Sequence, residues 1–381
     1  MPKFKLYKIM LTGGGTGGHI FPLLAVVQEL KRVAKTKGIV NLEFVFAGPK
    51  INDKLWLGIL QKAGVKVVSV NAGKLRRYSS WQNFVDLAIK TPLGILEALW
   101  KVFWNMPDIV FSKGGYGSVP IIIAASIYRV PIIIHESDSV AGLANKKAAK
   151  YAKLIALGFP GAENDFPNRE TVTTGVPVRT DIAAGSKEIA HQFFRIKGGK
   201  PIILIIGGSQ GAEAINDFIL NNLEELLRYF EIIHLTGGKK FETLGAELKA
   251  RFGHIDTGGY HPYPFLVEEL KEAYAICDIV VARSSATVIS EIAAVAKPSI
   301  LIPLPGAAQD HQRINAYNYA KTGAAIVMEQ PNLATHLFID ALRESLENKK
   351  LNESMIQAAK KFSKIDAAEK IAEIILENLK T

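Results

Sequence analysis

The chain has 381 residues, 48% hydrophobic and 22% charged, which provides apolar surface for two cores and excludes disorder as the dominant state. There are 46 Lys and Arg against 36 Asp and Glu, a net charge of +10. A single cysteine, Cys277, excludes a disulfide scaffold and fits a reducing compartment.

Short β-branched runs alternate with helical patterns. The first half offers strands at 8–12, 42–47, 65–70, 109–112, 132–135 and 154–157. The second offers 202–206, 232–235, 279–282, 299–302 and 325–327. Helical periodicity falls between them, as at Leu23–Val33 and Glu213–Leu227. Near-continuous apolar strands alternating with helices predict parallel sheets covered on both faces. The strand, glycine loop and helix that begin at Lys8 begin again at Ile202, which predicts two doubly wound domains joined near 175–186. The boundaries expected are 1–180 and 181–363, with a last helix at about 364–381 that can pack back on the first domain.

No apolar run reaches the ~18 residues of a membrane span. Val119 to Tyr128 stops at Arg129, and Pro92 to Trp104 is broken by Glu97 and Lys101. Met1-Pro-Lys-Phe-Lys runs straight into a strand, with no room for a signal peptide, so a cytosolic protein is expected. The charge is uneven. Residues 1–180 hold 24 basic and 11 acidic side chains, and residues 181–381 hold 22 and 25. Either surface lysines scatter unevenly, or the first half meets an anion: nucleic acid, a phosphorylated substrate or anionic lipid.

Gly13-Gly14-Gly15-Thr16-Gly17-Gly18-His19 follows a strand and opens a helix, where backbone N–H groups can meet an anion. Its G-x-G-x-x-G spacing is weak support for a dinucleotide. The second strand ends Phe46-Ala47-Gly48-Pro49, without the acid that binds a ribose diol, and the Gly-Lys-Ser/Thr of a P-loop is absent. A packing turn and a phosphate cradle both remain open. His19 is either structural or a neutral base beside a bound anion. Gly207-Gly208-Ser209-Gln210-Gly211-Ala212 repeats the motif and adds a hydroxyl. Two such domains suggest two phosphorylated ligands meeting in a cleft.

Arg283-Ser284-Ser285-Ala286-Thr287-Val288-Ile289-Ser290-Glu291 follows the strand at 279–282, where small polar residues form a ligand edge. Glu291 either accepts both hydroxyls of a ribose or complements the helix dipole. Asp310 to Asn315 suits sugar hydroxyls or a solvated cap. His135-Glu136 has no second histidine at ligand spacing, and no Asp-x-Asp occurs, so no metal is expected. The basic and aromatic stretch from Lys74 through Trp81, Trp100 and Trp104 can stack on single-stranded bases or sit at lipid headgroups.

In this order the motifs resemble the MurG family of bacterial peptidoglycan glycosyltransferases. The carrying segments are Gly13 to Pro22, Gly114-Gly115-Tyr116, His135 to Asn145, Gly175-Val176-Pro177-Val178-Arg179, Gly207 to Ala212 and Arg283 to Asn315. The resemblance implies a GT-B fold, two Rossmann-like parallel-sheet domains facing a cleft. It implies inverting, metal-independent transfer of GlcNAc from UDP-GlcNAc to the 4-hydroxyl of MurNAc in lipid I, giving lipid II. The place implied is the cytoplasmic face of an anionic membrane, bound peripherally, with no cofactor and no nucleic-acid partner.

By position, Thr16, Gly17 and Gly18 fall near the sugars, and His19 is the favoured base. Tyr116, His135, Glu136 and Asn145 match positions associated with activity. Arg179 and Ser209 fall where the family contacts the donor phosphates or the cleft, and Asn216 matches a motif asparagine. Val267 matches the backbone reader of uracil. Arg283 with Ala286, Thr287, Val288, Ile289, Ser290 and Glu291 matches the donor edge, and Gln312 matches a contact to the GlcNAc hydroxyls. Asp138, Val288 and His311 depart from residues common in the family, an asparagine, a threonine and a glutamine. Rival readings are a GT-B glycolipid glycosyltransferase with another acceptor, a UDP-GlcNAc epimerase and a nucleic-acid-binding protein.

Overall fold

The computed structural model describes residues 5–14, 17–39, 41–72, 91–208 and 212–379. Thr16, Ser209 and the basic stretch from Lys74 to Lys90, with Trp81, lie outside the described residues. The chain divides into two units. One runs to Arg179 and resumes at Ile365, and the other spans Thr180–Lys364.

The first unit is built on seven parallel strands. They are β1 (Tyr7–Thr12), β2 (Leu42–Gly48), β3 (Val65–Ser69), β4 (Ile109–Ser112), β5 (Ile132–Glu136), β6 (Leu154–Leu157) and β7 (Thr171–Thr173). Their spatial order is β3-β2-β1-β4-β5-β6-β7. β1 pairs with β2 on one side (Ile9 beside Phe44) and with β4 on the other (Ile9 beside Ile109). The order therefore reverses between β1 and β4, which opens a crevice beyond their carboxyl ends. The interior of β1 is apolar because helices cover both faces. Ile9 and Leu11 pack into one core cluster and Met10 into the other.

The helix Ala367–Glu377 completes the first of these clusters. It lies against the helix Gly17–Thr36 and buries Ile371, Ile375 and Leu376 among Leu23, Val27 and Leu30. Each such side chain contributes about 1.5–3 kcal/mol of transfer free energy. Arg32 tethers the pair, reaching Glu29 at 2.7 Å and Glu369 at 2.6 Å.

The second unit has six parallel strands. They are β8 (Ile202–Ile206), β9 (Glu231–Leu235), β10 (Tyr260–Tyr263), β11 (Ile279–Ala282), β12 (Ser299–Leu301) and β13 (Ala325–Val327). The order is β10-β9-β8-β11-β12-β13, so its reversal lies between β8 and β11. The two sheets thus repeat one plan, with a glycine loop leaving one strand of each reversal and a second motif leaving the other.

Two strands escape the apolar pattern. β7 and β10 are edge strands of sequence Thr-Val-Thr and Tyr-His-Pro-Tyr. An edge faces less apolar surface and tolerates Pro262 where a central strand does not. The helical pattern at 213–227 is also not one helix. It divides into Glu213–Asn221 and Leu223–Tyr229, with Asn222 (φ −115°, ψ 14°) between them. Among the described residues no helix is long and apolar enough to cross a membrane.

Candidate functional site

In the first unit the side chains gather where β1, β4 and β5 end. His19 stands in the first turn of Gly17–Thr36 and is held by glycine backbones. A Cβ on Gly14 would stand 2.8 Å from the imidazole, and one on Gly115 would stand 3.2 Å from Nε2. Gly115 also has a φ of +83°, which other residues rarely adopt. The glycines are therefore the walls of a slot for the ring. Burial, then the positive charge of Lys113, lowers the His19 pKa to about 4, so the ring is neutral at pH 7.

Lys113 was not singled out in the sequence. It follows a fully buried strand and is itself only 6% exposed. Its amide donates to the Thr12 carbonyl at 2.8 Å, joining the exits of β4 and β1. Its ammonium donates to the Ser137 hydroxyl. Burial pulls its pKa down to about 8, against the opposing pull of the Asp138 and Glu136 carboxylates.

The Ser137 hydroxyl connects onward. His135 Nε2 lies 2.9 Å from the Gly175 carbonyl, which only accepts, so Nε2 carries the hydrogen. Nδ1 then accepts from Ser137 Oγ at 3.1 Å. The result is a directed chain, Lys113 to Ser137 to His135 to Gly175. His135 is 0% exposed, and burial followed by the charge of Lys113 lowers its pKa to about 3.

Glu136 is engaged by the loop that follows it. Oε1 accepts from the Asp138 amide at 3.0 Å. Oε2 accepts from the Gly142 amide at 2.9 Å and from Asn145 Nδ2 at 2.8 Å. Burial and the neighbouring Asp138 charge nonetheless raise its pKa. Asn145 Oδ1 is buried without a hydrogen-bond partner. Asp138 is half-buried, Gly17 buried and Gly18 exposed, and Tyr116 is exposed on the turn after β4. Arg179 is half-buried where the first unit ends.

In the second unit Gly208, with φ +91°, leaves β8 into open space. Asn216, on the helix that follows, is 2% exposed and faces the protein. Its Nδ2 donates to the Thr236 carbonyl at 2.8 Å, so Oδ1 is the acceptor for His234 Nε2 at 3.0 Å. His234 Nδ1 accepts from the Tyr260 hydroxyl at 2.9 Å. This chain ties the ends of β9 and β10 to the helix after the glycine loop. Burial, then Lys240, lowers the His234 pKa to about 3.

Arg283 does not point its guanidinium outward. Nη1 donates to the carbonyls of Ile302 (3.1 Å) and Pro303 (3.0 Å), and Nη2 donates to Gln330 Oε1 at 2.6 Å. It clamps the exit of β12 to the exit of β11, and burial lowers its pKa. Ser284 Oγ donates to the Gln312 carbonyl at 2.8 Å, and Gln312 Oε1 accepts from the Leu304 amide at 3.0 Å. Just before the His311–Ala320 helix, Gln309 (φ 51°) and Asp310 (φ 54°) are both left-handed. Two such non-glycine residues in a row store strain on the order of 1 kcal/mol each, a feature that concentrates at ligand edges.

Ser285 caps the helix Ala286–Ala294 by accepting from the Val288 amide at 3.4 Å. Ala286, Val288 and Ile289 are buried, while Thr287, Ser290 and Glu291 are half-buried on the accessible side. Val267 is half-buried in the segment after β10. The buried Tyr274 hydroxyl donates to Glu291 Oε2 at 3.1 Å. Among the described residues no three His, Cys, Asp or Glu side chains group as metal ligands.

The sequence singles out His19, Glu291 and Gln312 by the motifs that contain them. It assigns no role to Lys113, Ser137, His234 or Tyr274. Lys113 reads as a surface lysine, and nothing in a one-dimensional pattern marks it as buried. His234 carried a signal, a polar residue inside an otherwise apolar strand.

Two Rossmann-like parallel sheets, each with a glycine loop at its reversal, have the architecture of the GT-B fold. Models of the glycosyltransferase family 28 N-terminal and C-terminal domains match residues 9–157 and 202–371. The chain belongs to glycosyltransferase family 28, in the MurG branch that its motifs resemble. A relative from Clostridium tetani is 36% identical over 343 residues, 90% of each chain. It is named UDP-N-acetylglucosamine--N-acetylmuramyl-(pentapeptide) pyrophosphoryl-undecaprenol N-acetylglucosamine transferase. The crystal structure of MurG from Acinetobacter baumannii superposes with a TM-score of 0.70 at 26% identity, covering 97% of this chain and 99% of that one. A UDP-GlcNAc 2-epimerase from Neisseria meningitidis reaches a TM-score of 0.68 at 14% identity, covering 98% and 100%, a likeness of fold alone.

Proposed function

We propose that this glycosyltransferase moves GlcNAc from UDP-GlcNAc to the 4-hydroxyl of MurNAc in lipid I, forming lipid II with inversion. The observation that carries the reading is the neutral imidazole of His19, fixed by glycine backbones at the reversal of the first sheet. The activity for which the 36%-identical relative is named supports it.

The acceptor oxygen attacks C1 and its proton passes to His19. The bond from C1 to the β-phosphate oxygen breaks, and UDP departs with the electron pair. An arriving diphosphate favours the imidazolium, so His19 becomes more basic when the acceptor is bound. The donor diphosphate is met by loop amides, Ser209 and the helix after β8, and the reading requires no metal. Glu291 takes the ribose, Gln312 the GlcNAc hydroxyls, and the backbone of Val267 the uracil. Thr16, Gly17, Gly18, Tyr116, Asp138, Asn145 and Arg179 belong to the sugar and phosphate surroundings. His135, Glu136, Asn216 and Arg283 are positioning residues, because their polar atoms bond to neighbouring loops.

The first unit is the acceptor and membrane-facing part, acting at the cytoplasmic membrane face. Its helix Thr91–Asn105 buries Ala98 and Val102, yet leaves Trp100 60% and Trp104 62% exposed, with Leu96 and Phe103 on the same side. Such a face, in a unit whose residues 1–180 carry 24 basic against 11 acidic side chains, suits the headgroup boundary of an anionic bilayer.

The test uses labelled UDP-GlcNAc with lipid I or diacylglycerol in anionic vesicles. Transfer to lipid I alone is expected. Transfer only to diacylglycerol, or release of free sugar without an acceptor, overturns the reading. In the same assay, replacing Trp100 and Trp104 by Ser weakens vesicle binding about tenfold or more.

A further inference from the structure

Pro303-Leu304-Pro305 follows β12 and carries one amide hydrogen, because neither proline has one. That hydrogen belongs to Leu304, and the Leu304 amide donates to Gln312 Oε1 at 3.0 Å. An N–H only donates, so the side-chain atom that meets it is the amide oxygen. Gln312 therefore has a fixed polarity as well as a fixed place. Oε1 is turned to the protein, and the group that remains for a ligand is Nε2, with two N–H donors. The backbone of Gln312 is held too, since the buried Ser284 hydroxyl donates to its carbonyl at 2.8 Å.

The direction of the Leu304 hydrogen has its own cause. The Pro303 carbonyl and the Leu304 N–H are the two ends of one planar peptide unit, and in the trans form they point opposite ways. Arg283 Nη1 grips that carbonyl at 3.0 Å, together with the carbonyl of Ile302 at 3.1 Å. Gln330 Oε1 braces Nη2 at 2.6 Å. Arg283 is itself 5% exposed, just beyond the end of β11. With one end of the peptide unit held, the other end is aimed.

We propose that Arg283 positions the side chain that reads the donor sugar: by holding the peptide unit between Pro303 and Leu304, it aims the single amide hydrogen at Gln312 Oε1, so that Gln312 offers the sugar hydrogen-bond donors and no acceptor. A sugar hydroxyl that meets Nε2 accepts there and gives its own hydrogen to a second partner. The proposal rests on the reading of Gln312 as a contact to the GlcNAc hydroxyls.

The experiment uses the full chain with lipid I in vesicles, and compares KM for UDP-GlcNAc with calorimetric Kd for UDP, which lacks the sugar. Gln312→Met is expected to raise KM about tenfold and Arg283→Met about fivefold, each leaving Kd for UDP within about twofold. Made together, the two should raise KM no more than Gln312→Met alone, because Arg283 acts through Gln312. Independent effects would multiply to about fiftyfold, and that result overturns the proposal. A merely structural role for Arg283 would weaken UDP and UDP-GlcNAc alike, which overturns it as well. If Gln312→Met leaves KM unchanged, the sugar reading of Gln312 fails. If it raises KM and the double variant multiplies, the positioning role alone fails. Gln312→Glu tests polarity, since it keeps an oxygen for Leu304 and puts a second oxygen in place of Nε2. KM should rise about tenfold or more with Kd for UDP within about threefold, and an unchanged KM counts against the proposal. Should Arg283→Met fold poorly, Leu304→Pro, at a position 43% exposed, removes the hydrogen directly. It too should raise KM and add nothing to Gln312→Met, and a multiplied effect overturns the proposal.

Discussion

The two sheets share a strand plan and differ in what stands at its reversal. Beyond β1 and β4 the first unit collects His19, Lys113, Glu136 and Asp138, groups whose charges act on one another. Beyond β8 and β11 the second unit places Arg283 against carbonyl oxygens and Glu291 against a phenol. In the proposed reaction the first arrangement tunes a proton acceptor, and the second holds a ligand still. Topology fixes where a ligand sits, and the side chains that end the strands decide what happens to it.

The sharpest way to break this contrast is to remove the proton acceptor. His19→Ala is expected to lower turnover by about 10²- to 10⁴-fold while UDP-GlcNAc binding, followed by calorimetry, stays within twofold. Near-normal turnover would move the proton chemistry elsewhere.

A smaller effect is expected from Lys113→Met. The ammonium opposes protonation of His19, whose neutral form is the one the proposed reaction uses. Removing it raises the His19 pKa from about 4, so the acid limb of kcat/KM should move to higher pH, by roughly half to one unit. Lys113 is the charge acting on His19, and Lys113 itself is acted on by Asp138 and Glu136 and lowers the pKa of His135. Arg283→Met, made for comparison, should leave that limb in place. A shift in both variants would mean that the two units are electrically alike.

An effect on stability and not on rate concerns what the units have in common, a buried neutral histidine in each. For His234 the unfolded pKa is about 6.5 and the folded pKa about 3. The unfolded chain binds more protons in that window, so stability is full above pH 6.5 and is lost as pH falls toward 3. The slope is about 1.4 kcal/mol per pH unit. His234→Gln should flatten this loss in urea midpoints measured between pH 6.5 and 4.

Much of this was legible in the sequence. Apolar runs located the central strands, and two glycine loops located both reversals. His19 and Glu291 stood out from the motifs that contain them, His19 where the first glycine loop becomes a helix and Glu291 within the helix after β11. The edge strands β7 and β10 were not legible, since Thr-Val-Thr and Tyr-His-Pro-Tyr carry no apolar run, whereas the edges β3 and β13 were. Lys113 and Tyr274 stayed hidden because their importance lies in partners 24 and 17 residues away. The direction in which Arg283 points depends on two carbonyls after β12, and no local pattern encodes that.

The helix Ala367–Glu377 has a consequence for the order of synthesis. Its Ile371, Ile375 and Leu376 finish the core that Ile9 and Leu23 begin. The ribosome must therefore make all of Thr180–Lys364 before the first unit can close. The second unit is contiguous and can fold as it emerges, so the part of the protein that starts the chain is the last to be completed. Until then an apolar stripe on Gly17–Thr36 stays uncovered, and a message truncated after Lys364 would leave it so.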